Sequence, residues 1–171
     1  MSRSLIAVAL VAIALSGAGC SSTSDKNASN PPPASAGKTT SSSQSAALPE
    51  CPTSETVKAE LGFDYGNLVV SGKTKDRTCN YVAPEVGLAS IHFEKMPTTA
   101  EFNAVKSGHS VGGRKVTDLS GLGDQAFSSV LTTAAGIDTN TIGARKGTLL
   151  LVITSRASLD KEKAFAAKLL G

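Results

Sequence analysis

Residues 87–94 alternate: Ala89, Ile91 and Phe93 fall on one side of an extended chain, and His92 between them falls on the other. A period of two predicts a strand with one apolar face. Less regular alternation predicts further strands over 67–71, 77–83 (carrying Cys79 and Tyr81), 115–119, 125–131 and 139–144. Residues 148–154, Thr-Leu-Leu-Leu-Val-Ile-Thr, are apolar on both sides. That pattern belongs to a central strand covered on two faces. Arg145-Lys-Gly147 just before it reads as a hairpin turn.

Three segments carry helical signals instead. In 55–61, Val57 and Leu61 stand four apart on one face, Pro52 and Thr53 precede the helix, and Gly62 offers a stop. Thr98-Thr-Ala-Glu101 is a capping box, and the helix it opens presents Phe102 and Val105 before ending at Gly108. From Ser158 to Leu170, Ser158 serves as cap, Asp160 suits the positive end of the helix dipole and Lys168 the negative end. The order is α-β-β-β-α-β-β-β-β-α. It predicts an α+β fold, a mostly antiparallel sheet with helices packed on it. Both halves run helix then strands, a weak hint of a repeat.

The first fifty residues behave differently. Arg3 precedes an eleven-residue apolar run, Leu5 to Leu15. A helix of that length cannot cross a hydrocarbon layer of ~30 Å, so the run reads as the core of a secretory signal peptide, residues 1–19. It closes with Leu15-Ser-Gly-Ala-Gly-Cys20, small residues leading into a cysteine. This resembles a bacterial lipobox, although Gly17 stands where Leu is commonest. The resemblance implies cleavage before Cys20 and a diacylglycerol on its sulfur; the plainer reading is an ordinary signal peptide with a stray Cys. Residues 21–49 are rich in Ser, Thr, Ala, Asn and Pro, with no aromatic residue and Leu48 as the one large aliphatic side chain. Such a segment is expected to remain a disordered tether, spanning about 30 Å root-mean-square. Residues 50–171 are left for a single domain.

Three cysteines is an odd number, which in an exported chain needs an explanation. Acylation accounts for Cys20. Cys51 and Cys79 then have an oxidising compartment in which to pair. Two thiols alone make a poor zinc site, and no C-x-x-C is present for redox work.

Charge narrows the partners. The chain has a formal net charge of +3. Arg3, Lys26 and Lys38 lie outside the domain, which is left close to neutral. Nothing there argues for nucleic acid or for attraction to anionic lipid. The aromatics are five Phe and two Tyr, without Trp, which argues against a sugar- or base-stacking platform.

Two motifs suggest catalysis and fail on context. Gly108-His-Ser-Val-Gly112 fits G-x-S-x-G, the nucleophile elbow of serine hydrolases. An elbow turns from strand to helix, with its acid and then its His later in the chain. Here a helix precedes Ser110, a strand follows, and His92 and His109 both come before it. The segment reads as a glycine-rich helix-to-strand loop. A convergent triad of Ser110, His92 and Asp118 is the competing reading, because triads are defined by geometry. Gly121-Leu-Gly-Asp-Gln-Ala126 fits G-x-G-x-x-A, but the β-branched, hydroxyl-rich run after it is a poor helix, so it reads as a tight turn into a strand. His92 and His109 lack the spacing of a metal pair. No catalytic residue, cofactor or metal ligand is assigned.

Together the residues carry a resemblance. A Cys51-led helix ends in Leu61-Gly62, the second cysteine sits in Thr78-Cys-Asn-Tyr81, Leu119-Ser-Gly-Leu-Gly-Asp-Gln-Ala-Phe127 follows, and a late hairpin leads into Gly147-Thr-Leu-Leu-Leu-Val152. This is similar to small actinobacterial envelope lipoproteins of unknown function, over roughly residues 50–155. It departs from them at Glu50-Cys-Pro-Thr, where a Leu-Leu-Thr run is common. The resemblance implies a domain lipid-anchored at the outer face of the cell membrane, with a disulfide joining helix and strand. The function expected is non-catalytic: a module that docks an envelope protein or senses the wall. A carrier for a small apolar or lipidic ligand is the alternative, and it predicts an enclosed pocket of several hundred Å³ lined by Val, Leu and Phe.

Overall fold

The computed structural model describes residues 47–171 apart from Val86 and Pro97. The signal peptide, Cys20 and nearly all of the tether lie outside the described residues. The element order is the expected one: α1 (Ser54–Leu61), β1 (Asn67–Gly72), β2 (Asp76–Ala83), β3 (Gly87–Lys95), α2 (Thr99–Gly108), β4 (Lys115–Leu119), β5 (Gln125–Thr132), β6 (Asp138–Lys146), β7 (Leu149–Ser155) and α3 (Leu159–Leu170). All seven strands form one antiparallel sheet in the order β1-β2-β3-β7-β6-β5-β4. It consists of two meanders joined edge to edge where β3 pairs with β7. The turn expected at 145–147 forms slightly later, because Arg145 and Lys146 stay in the ladder opposite Leu150 and Leu149.

Side-chain alternation gives the sheet two faces. On the first, Cys79, Ile91, Ile153 and Ile142 lie in one cross-strand row, with Phe93, Leu151, Ala144 and Ala126 in the next. Val57 and Leu61 of α1 and Phe165 and Ala166 of α3 pack onto these rows. The caps are as the sequence indicates. Thr53, Thr98 and Ser158 accept from backbone N–H groups of α1, α2 and α3, and the capping box at Thr98 is complete.

α3 also buries a carboxyl group. Glu162 Oε1 accepts from Ser155 Oγ at 2.6 Å, and Ser155 Oγ in turn accepts from Ala157 N. Asn140 Nδ2 donates to Ala157 O at 2.7 Å. Glu162 Oε2 has no hydrogen-bond partner. Burial raises the Glu162 pKa to about 8, against the lowering effect of its bonds to Ser155. The carboxyl is therefore largely neutral at pH 7, as a desolvated acid must be.

The start of the domain is fastened to β2 by three alternate side chains. Arg77 Nη1 donates to Leu48 O and Pro49 O. Cys79 is joined to Cys51, with Cα atoms 5.7 Å apart. Tyr81 donates its hydroxyl to Pro52 O at 2.6 Å, and burial raises its pKa to about 12. The disulfide closes a loop of sequence separation 28, worth about 3–4 kcal/mol on the chain-entropy estimate. Leu48, placed by sequence in the tether, packs against the core.

Candidate functional site

The second face of the sheet is covered over half its width. α2 lies across the β7-β6-β5-β4 side, where Phe102 stacks on Phe127 with ring centroids 5.7 Å apart. Met96, Leu150 and Val152 complete this smaller core, with Val105 and Val116 at its margin. Gly143 is part of the design. It pairs directly with Phe127, and a Cβ there would lie 2.3 Å from the ring, so the aromatic side chain occupies the space over bare backbone. His109, at the end of α2, packs beside the same ring at 5.3 Å. Its burial, and then the Arg114 charge, hold its pKa below the ordinary value.

Among the described residues, no helix covers this face over β1, β2 and β3. The outward side chains there follow from the register. Asn67, Val82 and Leu88 form one row, Val69, Asn80 and Ser90 the next, and Ser71, Thr78 and His92 the third. Val69, Val82 and Leu88 are about half exposed. The surface is mixed, with three aliphatic side chains among hydroxyls, an amide and an imidazole.

In the third row Thr78 and His92, directly opposed across the strands, meet with Oγ1 2.9 Å from Nδ1. Glu94 Oε2 lies 3.4 Å from the other ring nitrogen. A carboxylate only accepts, so Nε2–H points at Glu94 and Nδ1 accepts from the Thr78 hydroxyl in the neutral ring. Acid, imidazole and hydroxyl thus stand in the order of a proton relay. What the trio does is hold the imidazole in one orientation on an open surface. Sequence reasoning placed His92 away from the core but missed both partners. Glu94 was legible two residues along the same strand face; Thr78 required the β2–β3 register.

The other candidates are accounted for by their surroundings. Ser110 follows the last turn of α2 and donates to Ser107 O at 2.7 Å. Asp118 is ion-paired with Lys106. Asp118 and His92 lie in the same cross-strand row but four strands apart, about 19 Å at ordinary strand spacing. The triad of Ser110, His92 and Asp118 therefore does not assemble. The Gly121–Ala126 motif is a turn into β5. Gly123 has φ +63°, and its Cβ would strike Arg145 O at 2.4 Å, so only glycine fits. Asp124 then clasps the β6–β7 hairpin: its N–H donates to Arg145 O, and its Oδ2 accepts from Gly147 N, both at 2.7 Å.

Two surface depressions open to solvent. One of about 390 Å³ lies among Gly121, Asp124, Lys146 and Leu170, the other of about 430 Å³ among Asp64, Asn67, Val82 and Glu85. Among the described residues no three His, Cys, Asp or Glu side chains gather for a metal, and no helix is long and apolar enough to cross a membrane. Comparison with protein families, with characterised proteins and with solved structures gives no match.

Proposed function

We propose that the chain is a non-catalytic module of the cell envelope, held at the outer face of the membrane by a lipid on Cys20, that docks an envelope protein on the uncovered half of its sheet. The observation that carries the docking site is the unequal cover of the second face. α2 closes the β4–β7 side, while Val69, Val82 and Leu88 stay exposed toward one end of the open half and the Thr78–His92–Glu94 trio lies toward the other. Apolar side chains beside fixed polar groups suit a protein surface. The anchor draws support from the apolar run with small residues leading on to Cys20 and from cysteine use: the 51–79 disulfide leaves one sulfur over. The carrier alternative calls for an enclosed pocket lined by Val, Leu and Phe. The two depressions described above are open rather than enclosed; Gly, Asp124 and Lys146 make up most of the lining of the first, and the second has Val82 as its one large aliphatic side chain.

Two measurements test the proposal. The full chain expressed in a lipoprotein-processing bacterium should enter the detergent phase on cloud-point separation, and Cys20→Ser should leave it in the aqueous phase. Aqueous wild type would overturn the anchor. A photocrosslinking side chain at position 88 should yield a discrete adduct with an envelope protein, and one at Val111, exposed beyond the end of α2, should not. Equal yields from both positions would overturn the docking site, and co-purified lipid with no adduct would favour the carrier.

A further inference from the structure

The sheet ends in two edges of opposite character. β4, Lys-Val-Thr-Asp-Leu, carries a charge of each sign, and its Asp118 is tied to α2 through Lys106. Such charges are how proteins discourage strand-to-strand association. β1, Asn-Leu-Val-Val-Ser-Gly, has no charge and no proline. Among the described residues it pairs with β2 alone, so alternate N–H and C=O groups on its outer side have no strand partner there. Val69 and Val70 are 55% and 56% exposed, although their β-branched side chains favour a ladder.

We infer that β1 is a self-pairing edge, which joins two copies of this chain through an antiparallel β1–β1 ladder. Symmetry restricts the register. A two-fold axis normal to the sheet keeps each face on its own side, so opposed residues must share a face and their numbers must sum to an even value. Centring on Val69 sets it against its own copy and sets Leu68 against Val70. Apolar side chains then meet on both faces. The ends complement one another as well. The exposed Lys73 and Lys75 follow β1, and the exposed Glu85 lies at the end where β1 begins, near an Asp64 already bonded to Lys58 at 2.7 Å. Antiparallel pairing brings the lysine turn of each copy to the end of the other that carries Glu85. This inference goes beyond the docking module and does not rest on the anchor. It would place the two uncovered half-faces side by side. The result is one floor of six strands, about 24 Å from β3 to β3 at ordinary strand spacing, with an α2 helix beyond each side.

The test uses the full chain in detergent, by sedimentation velocity at micromolar concentrations. Wild type should sediment as a dimer, and Val69→Lys should weaken association at least ~10-fold with circular dichroism unchanged. Independently, Val69→Cys should form an intermolecular disulfide above the wild-type background on oxidation. Val70→Cys should not, because in this register its copies stand beyond the ~7 Å Cα reach of a disulfide. A monomeric wild type would overturn the inference, including one whose β1 amides are protected from hydrogen exchange by residues 1–46. So would a dimer insensitive to Val69→Lys, or equal cross-linking from positions 69 and 70.

Discussion

The two halves of the second sheet face share one sheet, its rows and its alternation, yet only one is a core. The row that runs from His92 to Val152, Gly143 and Phe127 crosses from one to the other. On the α2 side it supplies an aliphatic side chain, a bare glycine and an aromatic ring lying over it. On the open side it supplies an imidazole held by a hydroxyl and a carboxylate. The first set needs a lid. The second is already satisfied by its own hydrogen bonds and can face water. Cover is therefore decided by what the outward positions of each strand can do for themselves.

That contrast can be broken in graded ways. Phe165→Ala, on the doubly covered side where α3 meets the sheet, should lose about 3–5 kcal/mol in chemical denaturation. Glu162 tests the same side by pH. Its folded pKa of about 8 stands above the ordinary 4.5. Between those values the unfolded chain gives up a proton that the folded chain keeps. The stability tied to this group is thus complete below pH 4.5 and falls as pH rises to 8, by about 4 kcal/mol. Glu162→Gln should flatten that slope in denaturation midpoints taken across the range. Gly143→Ala should cost about 1–3 kcal/mol, because the added methyl displaces Phe127, and the near-ultraviolet circular dichroism of the ring should change with it. On the open half, Leu88→Ser and Val82→Thr should shift stability by no more than ~0.5 kcal/mol. A loss there as large as that of Gly143→Ala would mean that the open half is a core after all.

Much of this was legible in the chain. The period of two in 87–94 placed Ile91 and Phe93 inward and His92 outward, and the doubly apolar run at 148–154 became β7, near the centre of the sheet. Caps at Thr53, Thr98 and Ser158 were local signals and sat where the residues indicated. What could not be read was which strands would be neighbours. The β3–β7 pairing spans some sixty residues, and no local pattern announces it. The trio around His92 depends on the β2–β3 register, and the open half-face depends on where α2 comes to rest. Glu162 was hidden for another reason. A Glu in the first turn of a capped helix looks like a dipole partner until the neighbouring strand covers it.

The fastening of residues 48–52 onto β2 has a mechanical consequence. Arg77, Cys79 and Tyr81 grip the incoming chain at three successive points, with a covalent bond in the middle. Tension applied at residue 47 passes through the sulfurs directly into the second strand, which has a ladder on either flank. α1 and β1 lie inside the loop that the disulfide closes and are bypassed by that load. A body pulled from residue 47 would keep its edge strand in register.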